Sequence, residues 1–378
     1  MSDTASFLRT DGTERLRVAD APTEVRMYDG DVLIKLSFRE DSFSNTAGNV
    51  CLSRNEQAAP VVHALRVSAY GRDCLRIVLL PNGQVEEAST ILCSETLPSK
   101  IELSVVEAES GYEIVDVDNR IRGRINCGPI ATRHWSDLLP AREKSFEVEW
   151  FPDGEIGVPF KSYDMFAHGV TDSLPLAYVE KEGAVTRTLF SLEASGNECF
   201  AGTGERFAKM DLSGRTITLE NADGLGVNSA RTYKNVPFYM SSRPYGLFVH
   251  TSAKTQLSFA DISTRSAQGM VEEDRLDLFL IGGGNLQNVL RNYCSLTGFS
   301  PEVPLWSYGI WMSRMSYFSP DEITTVARRL REEEFPCDVL HIDTGWFKED
   351  WVCDWKFCQE KFPNPEQYIS ELREAGDR

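Results

Sequence analysis

Residues 319–343 read SPDEITTVARRLREEEFPCDVLHID, and this stretch decides the fold of the last part of the chain. Ser319 predicts the start of a helix, because serine caps helices, Pro320 fits the first helical position and Glu322 completes a capping box. One apolar stripe at helical spacing follows, formed by Ile323, Val326, Ala327 and Leu330. We therefore predict a helix over residues 319–335.

A strand is predicted on each side of this helix. Residues 339–343 are apolar up to the final Asp343, and residues 305–312 (LWSYGIWM) form an earlier candidate strand. A second helix is predicted over residues 364–376, since an Asn-Pro pair opens it and a glycine ends it. The order strand, helix, strand, loop, helix is typical of the opening of a parallel α/β architecture.

This alternation predicts a further strand after Gly376, because parallel sheets are covered on both faces and contain more members. We therefore expect the chain to be an N-terminal fragment of a longer protein, or a truncated relative of one. The two helices are then expected to expose their apolar stripes. Self-association into a homo-oligomer, or local disorder, is expected beyond residue 300.

From about residue 25 to about residue 290 the sequence is typical of antiparallel β structure. Short apolar or alternating runs recur between turn-forming residues, and they predict strands over 31–38, 64–69, 75–80, 100–107, 112–117, 216–220, 246–250 and 276–281. The first run alternates between apolar and more polar positions, which predicts one packed face and one partly solvated face. Many short strands of this kind indicate an antiparallel sandwich or barrel.

Composition excludes several classes of partner. The chain has 378 residues and a formal net charge of −18, which argues against nucleic acid, because a phosphate backbone requires a clustered basic face. The N-terminus lacks the apolar run of a secretory signal, and no stretch approaches the roughly 20 apolar residues of a membrane helix. The nine cysteines are odd in number and scattered, so we expect reduced thiols in a cytoplasmic protein.

The sequence contains no strong signature of a metal, phosphate or serine-hydrolase site. The five histidines show no ligand spacing; they are His63, His134, His168, His250 and His341. Gly282–Gly284 is not followed by Lys-Ser/Thr and does not open a clean helix, so a phosphate loop is not expected. A G-x-S-x-G elbow is absent, which leaves esterase chemistry without support. We expect neither a metal nor a cofactor.

Asp343 is the candidate binding residue, since functional residues of parallel α/β barrels stand at the C-terminal ends of the strands. A carboxylate accepts hydrogen bonds from vicinal sugar hydroxyls, and an aromatic face covers the apolar side of a sugar ring. Trp346 follows Asp343, and Trp311 and Tyr317 are expected near the end of the preceding strand. The same residues fit a structural interpretation equally well, with the aspartate ending the strand in a turn and the aromatic residues packing against helices.

Two further groups of residues have a structural interpretation. Trp351 and Trp355 are expected to form a small satellite core rather than the rim of a pocket. Gly204 permits a tight turn, and Glu205 and Arg206 are expected to pair and hold that turn.

Two groups of motifs, taken in order, resemble glycoside hydrolase family 31. The first group is GTGERF at 202–207, NADG at 221–224, YKNVPFYM at 233–240 and RPYG at 243–246. The second group is WSYGIW at 306–311 and HIDTGWF at 341–347, which resemble the first two barrel strands of the family. With Trp351 and CDW at 353–355, the second group resembles the α-xylosidase-like branch. Gly345 departs from that branch, which often has an aromatic residue there.

This resemblance implies a galactose mutarotase-like β-sandwich over residues 1–300, followed over 301–378 by the first two βα units of an incomplete (β/α)8 TIM barrel. It implies a retaining exo-acting α-glycosidase that removes a terminal α-linked xylose or glucose from a small oligosaccharide or glycoside. In the family, both catalytic carboxylates come from later barrel strands, so no residue of this chain matches them.

The resemblance also assigns substrate-binding positions. Asp343 matches the aspartate that holds hydroxyls of the non-reducing sugar, and Trp311 and Trp346 match aromatic positions near that subsite. Asp223 lies in the sandwich loop that leans over the barrel mouth in family members. Two alternatives stay open: a non-catalytic carbohydrate-binding or interaction module, and a gene-model artefact whose other half is encoded downstream.

Overall fold

The computed structural model describes residues 7–46, 49–81, 89–127, 146–160, 174–224 and 231–376. The chain divides into Met1–Phe299 and Ser300–Arg378, which we call unit 1 and unit 2. Two of the histidines considered above, His134 and His168, lie outside the described residues. Within the described ranges, no helix is both long enough and apolar enough to cross a membrane.

Unit 1 consists mainly of β-strands. In chain order they are β1 (Glu14–Tyr28), β2 (Asp31–Thr46), β3 (Asn49–Arg54), β4 (Val61–Tyr70), β5 (Cys74–Leu79), β6 (Lys100–Ile101), β7 (Leu103–Ala108), β8 (Gly111–Asp116), β9 (Ile121–Asn126), β10 (Glu147–Trp150), β11 (Val158–Phe160), β12 (Leu176–Lys181), β13 (Ala184–Glu193), β14 (Phe200–Gly204), β15 (Arg215–Leu219), β16 (Asn235–Ser241), β17 (Gly246–Val249), β18 (Thr255–Phe259), β19 (Ser266–Val271) and β20 (Leu276–Ile281). Helix α1 (Leu286–Thr297) follows them.

These strands form two antiparallel sheets packed face to face. Among the described residues, the larger sheet has 15 strands in the order β14-β16-β17-β20-β5-β4-β2-β1-β12-β13-β19-β18-β15, with β3 beside β2 and β6 beside β4. The smaller sheet has five strands in the order β11-β10-β9-β8-β7. Ile34 and Leu65 of the larger sheet share one apolar core with Ile114, Ile125 and Trp150 of the smaller sheet. The predicted fold class is therefore confirmed.

The strands predicted in unit 1 are present and most differ at their ends by three residues or fewer, but β2 continues to Thr46, eight residues beyond its predicted end. β2 buries its alternate apolar residues completely and leaves the residues between them half-buried, as predicted; the buried set is Val32, Ile34, Leu36 and Phe38. The predicted run 100–107 is divided, with β6 ending at Ile101 and β7 beginning at Leu103. The chain passes there from the larger sheet to the smaller, because β6 pairs with β4 and β7 with β8.

Helix α1 corrects the expectation that Gly282–Gly284 does not open a helix. The side chain of Asn285 caps the helix by accepting a hydrogen bond from Asn288 N at 2.9 Å. The backbone N–H of Gly283 donates instead to the carboxylate of Asp153 at 3.0 Å. The backbone N–H of Gly283 is therefore already paired with a carboxylate of the protein.

Unit 2 has the alternating order that the sequence predicts. Its described elements are a 3-10 helix (Leu305–Tyr308), β21 (Trp311–Ser313), α2 (Pro320–Glu332), β22 (Val339–His341) and α3 (Pro365–Glu374). β21 and β22 pair in parallel, with Trp311 opposite Val339 and Ser313 opposite His341. Helix α2 is the crossover between them, so this is a βαβα unit.

The two strands of unit 2 are shorter than predicted. Residues 305–308 form the 3-10 helix instead of a strand, because Ser307 N and Oγ both donate to Pro304 O and hold the chain in a turn. The first strand therefore begins at Trp311, and the second ends at His341 rather than at Asp343.

Helix α2 begins after the predicted cap Ser319, but Glu322 bonds the backbone N–H of Phe318 and not that of Ser319, which differs from the predicted capping box. Ser319 Oγ accepts a hydrogen bond from Glu322 N at 3.2 Å, and Glu322 Oε2 accepts one from Phe318 N at 2.9 Å. The expectation that both helices expose their apolar stripes is wrong. α2 and α3 face the same small core, and the buried members of that core are Tyr317, Ile323, Phe362 and Tyr368. Much of the exposed apolar surface of unit 2 lies instead in the 3-10 helix, at Leu305 and Tyr308, and in loops, at Met315, Trp351 and Trp355.

Candidate functional site

Asp343 lies two residues beyond the end of β22, in the loop that follows it. Its backbone φ is +65°, which aspartate tolerates better than most residues, and it forms an isolated bridge with Ser316. The residue is partly exposed. Its carboxylate has no hydrogen-bond or ion-pair partner within the described residues, so its lone pairs are available to ligand hydroxyls. This arrangement differs from the structural interpretation, in which the carboxylate bonds the backbone of its own turn.

Gly345 brings two loops of this site together. A Cβ at this position would lie 2.4 Å from Tyr317 O and 3.1 Å from Ser316 Oγ, so no side chain fits without movement of the loop. Ser316 Oγ in turn lies 3.3 Å from Thr344 Oγ1. Ser316 and Thr344 are polar neighbours of Asp343 that sequence reasoning missed. Ser316 in particular is recognisable only through its bridge to Asp343.

Tyr317 does not form a wall of the site, which corrects the expectation for this residue. Its side chain is fully buried in the small core of unit 2, and the guanidinium of Arg314 lies 5.4 Å from its ring centroid. Burial raises the pKa of Tyr317, and its hydroxyl has no hydrogen-bond partner within the described residues. Tyr317 therefore belongs to the core of unit 2 and does not line the site.

Trp346 lies half-buried beside the candidate aspartate. Its ring centroid is 4.0 Å from that of Phe347 and 4.6 Å from that of Phe357, and it packs against the core of unit 2. Part of its aromatic surface is therefore used in packing. Its role in binding stays a prediction.

Trp311 lies at the opposite end of its strand from the expected position. It is the first residue of β21, opposite Val339, and not near the C-terminal end. Val339 is the first residue of β22 and Asp343 lies beyond its last, so Trp311 is level with the end of β22 that is farther from Asp343. Its indole N–H donates to Ser307 O at 3.1 Å, and half of the side chain is exposed. Sugar binding by Trp311 stays a prediction, but the reason based on its strand position is wrong.

Trp351 and Trp355 do not form the expected satellite core. They are 75% and 81% exposed, respectively, although the ring centroid of Trp355 lies 6.2 Å from that of Trp346. Trp351, Cys353 and Trp355 all have positive φ angles, of 63°, 48° and 57°. Non-glycine residues in this region are uncommon and strained. The loop therefore presents two tryptophans to solvent in a backbone conformation of high energy.

In unit 1 the motif around Gly204 is a close approach of two strands. Gly204 has a φ of +89°, and a Cβ there would lie 2.1 Å from Lys234 O. The expected pairing of Glu205 with Arg206 is wrong: Glu205 pairs with Lys234 at 2.7 Å, and Arg206 donates to Asn235 Oδ1 at 2.6 Å. Both side chains thus fasten β14 to the start of β16, and burial lowers the pKa of Arg206.

The same hydrogen-bonded group supports the loop of Asp223. Asn235 Nδ2 donates to Asn221 Oδ1 at 2.9 Å, and Ala222 N donates to Thr232 O at 3.0 Å. Asp223 follows directly and is exposed. Three motifs that are separate in the sequence therefore meet in one polar assembly, with the candidate aspartate next to it.

The described residues contain no group of three or more His, Cys, Asp or Glu side chains arranged to hold a metal ion. Asp343 and the polar pair Ser316–Thr344 lie together just beyond the C-terminal end of β22, and Trp346 follows in the same loop. Oxygen atoms grouped in this way can accept hydrogen bonds from the hydroxyls of a neutral polyol. This group contains no pair of carboxylates suited to acid–base catalysis.

Comparison with known proteins identifies the family of both units. Residues 64–257 match the glycosyl hydrolase 31 N-terminal galactose mutarotase-like domain, and residues 300–378 match the glycosyl hydrolases family 31 TIM-barrel domain. An alpha-xylosidase of Emericella nidulans is 33% identical over 58% of this chain and 28% of its own length. The alpha-xylosidase XylQ of Lactiplantibacillus pentosus is 32% identical over 48% of this chain and 24% of its own length.

Solved structures share the fold at lower identity. A Flavobacterium johnsoniae GH31 dextranase complexed with glucose has a TM-score of 0.69 at 19% identity, covering 95% of this chain and 38% of that one. A GH31 alpha-xylosidase from a soil metagenome complexed with xylose has a TM-score of 0.67 at 18% identity, covering 94% of this chain and 46% of that one. The chain spans 28% and 24% of the two curated relatives. Because the domain match over 64–257 covers half of the chain and a second match continues over 300–378, the protein belongs to glycoside hydrolase family 31.

Proposed function

We propose that this chain is the N-terminal portion of a retaining exo-acting α-glycosidase of the cytoplasm. Its substrate is a small oligosaccharide or glycoside with a terminal α-linked xylose or glucose. The observation that supports this proposal best is the carboxylate of Asp343, which follows the second strand of a parallel pair and is without a partner in the described structure. The α-xylosidases among the relatives support the choice of sugar.

In this proposal Asp343 binds the sugar and does not react with it. A retaining glycosidase needs a nucleophile and an acid/base about 5–5.5 Å apart. We assign neither role to a residue of this chain, so we expect the chain by itself to be inactive. Hydrogen bonds from two hydroxyls to a charged carboxylate contribute about 1.5–3 kcal/mol each. That energy holds the sugar ring while carboxylates outside this chain carry out the chemistry.

Calorimetric titration of the 378-residue chain with xylose and isoprimeverose tests the binding role. We expect weak binding that falls about tenfold or more in Asp343→Asn, because the amide loses the charge that strengthens the hydrogen bonds. Asp350→Asn is the matched control, since Asp350 is an exposed carboxylate of the same loop region. Equal affinities of wild type and Asp343→Asn would move the binding site elsewhere.

A separate assay tests the absence of chemistry. Release of p-nitrophenol from a p-nitrophenyl α-xyloside by the purified chain, above the uncatalysed rate, would contradict the assignment of both catalytic carboxylates to positions outside it.

A non-catalytic carbohydrate-binding module is the second candidate, favoured by the exposed pair Trp351 and Trp355. An aromatic platform binds sugars through the apolar face of the ring. In that case Trp355→Ala abolishes the calorimetric signal while Asp343→Asn leaves it unchanged. The opposite pattern supports the glycosidase subsite.

A further inference from the structure

Ser89, His250 and Asp277 form a hydrogen-bonded chain in unit 1. Ser89 Oγ lies 2.6 Å from His250 Nε2, and His250 Nδ1 lies 2.7 Å from Asp277 Oδ2. The three residues come from separate parts of the chain: a loop, the residue after β17, and β20. Both distances fall in the range found between a nucleophile, its base and the group that orients the base.

In this row of hydrogen bonds, the carboxylate of Asp277 is held in its ionised form. Asp277 is buried and accepts two hydrogen bonds from Arg76, from Nε at 2.9 Å and from Nη2 at 2.7 Å. Burial by itself raises the pKa of Asp277, but the hydrogen bonds from Arg76 and His250 outweigh it and keep the pKa below its usual value. A carboxylate opposite Nδ1 assigns the ring proton to that nitrogen, which leaves Nε2 to accept the proton of Ser89.

Of the three hydrogen-bonded residues, Ser89 is the one nearest the surface. His250 and Asp277 are buried, at 4% and 3% exposure, whereas Ser89 is partly exposed and its neighbour Thr90 is exposed. The backbone N–H groups of Ile91 and Leu92 both point at Ser89 Oγ from 3.1 Å. These two contacts place Ser89 at the start of a turn and fix the position of its Oγ opposite His250 Nε2.

Another buried carboxylate of unit 1 makes a different kind of network. Glu198 accepts hydrogen bonds directly from Ser241 Oγ at 2.5 Å and from Tyr245 OH at 3.0 Å, with no imidazole between them. A hydroxyl with a purely structural role, such as that of Ser241, needs no general base to accept its proton. The imidazole between Asp277 and Ser89 is what a proton transfer requires.

We propose that Ser89 is an activated nucleophile and that unit 1 contains a second hydrolytic site, for short acyl esters, independent of the glycosidase function. Ser89 Oγ attacks the ester carbonyl carbon while its proton passes to His250 Nε2. That proton moves to the leaving alkoxide as the C–O bond breaks. Water then adds to the acyl-serine, His250 takes its proton, and the carboxylic acid leaves as the serine hydroxyl is restored. The nucleophile begins a turn instead of occupying a G-x-S-x-G elbow, and triads of this kind recur on unrelated folds.

Labelling of the full chain with a fluorophosphonate probe, followed by peptide mass spectrometry, tests this proposal. We expect one phosphonylated site at Ser89, its loss in Ser89→Ala, and a rate at least 100-fold lower in His250→Gln, in keeping with removal of a general base. Thr90→Ala is the matched control, because it removes the neighbouring exposed hydroxyl and leaves the chain of hydrogen bonds intact. A burst of p-nitrophenol from p-nitrophenyl acetate is expected in wild type and in Thr90→Ala.

The wild-type peptide map decides the matter even where a variant fails to fold, as judged by circular dichroism. An unmodified Ser89 after prolonged treatment would overturn the proposal and leave the serine as a turn cap. So would equal labelling rates in wild type and a folded His250→Gln.

Discussion

Replacement of Arg122 by methionine should remove a buried polar link between the two sheets of unit 1. Arg122 lies in β9 of the smaller sheet and is fully buried. Its Nη1 donates to Asp116 Oδ2 at 3.0 Å, and its Nη2 donates to Pro152 O at 2.7 Å and to Cys74 O of the larger sheet at 3.3 Å. Methionine keeps much of the apolar volume but supplies none of these donors.

The expected loss is about 3–5 kcal/mol of unfolding free energy, the usual cost of breaking a buried ion pair on one side. Asp116 keeps one cation, since Arg120 Nη2 lies 2.8 Å from the same carboxylate oxygen. This remaining pair favours the lower end of the range. The carbonyl groups that lose a buried donor favour the upper end.

Urea denaturation followed by far-UV circular dichroism measures this loss. Arg124→Met is the matched control, because Arg124 lies in the same strand, is half-exposed and pairs with Glu113 at 3.0 Å. An exposed pair of this kind contributes about 0–1 kcal/mol. A loss below about 1 kcal/mol in Arg122→Met, or equal losses in the two variants, would refute the assigned role of Arg122.

The difference between wild type and Arg122→Met should also depend on pH. Burial raises the pKa of Asp116, but the backbone N–H of Arg120 and the guanidinium of Arg122 bring it below its usual value. A lowered folded-state pKa contributes stability above the unfolded value of about 3.9, and that contribution is lost as the pH falls through the folded value. The difference in unfolding free energy is therefore full near neutral pH and shrinks below about pH 4. A pH-independent difference would contradict this account.

Three further predictions concern unit 2. Gly345→Ala should raise hydrogen exchange across the loops at 316–318 and 343–347, because its Cβ would lie 2.4 Å from Tyr317 O; Gly12→Ala, which meets nothing within 4 Å, should have no such effect. Ser319→Ala should cost about 1 kcal/mol through loss of the α2 cap, while Ser319→Gly costs only a few tenths; equal effects would argue against the capping bond. The exposed apolar loops predict concentration-dependent self-association in sedimentation velocity, and a monomer at all concentrations would count against it.

Much of the architecture was predictable because strands and helices have local periods. The alternation in β2 and the capping sequence of α2 each act within a few residues, so a single sequence reveals them. Helix α1 escaped prediction, since its cap is an asparagine after three glycines and its apolar face is completed by strands β17 and β20. The 3-10 helix at residues 305–308 was not predicted for a related reason: a short apolar run is compatible with both a strand and a helical turn.

The candidate site was predictable only in part. Asp343 follows from its position after an apolar strand, and its open carboxylate agrees with a binding role. The level of Trp311 depends on the register of two parallel strands, which residue spacing does not encode. Tyr317 is buried although we expected it to line the site, and Trp355 is exposed although we expected it in a small core, because burial is decided by what packs nearby and not by residue type.

By itself the sequence determined the order of the elements, the β texture of unit 1, the βαβα opening of unit 2 and the motifs of the family. These depend on interactions between near neighbours along the chain. Tertiary structure alone decided which distant residues meet: Arg206, Asn221 and Asn235 around the loop of Asp223, and Ser89, His250 and Asp277 in one hydrogen-bonded chain. Such contacts join strands far apart in sequence, and they require the strand order, register and burial that only the packed sheets establish.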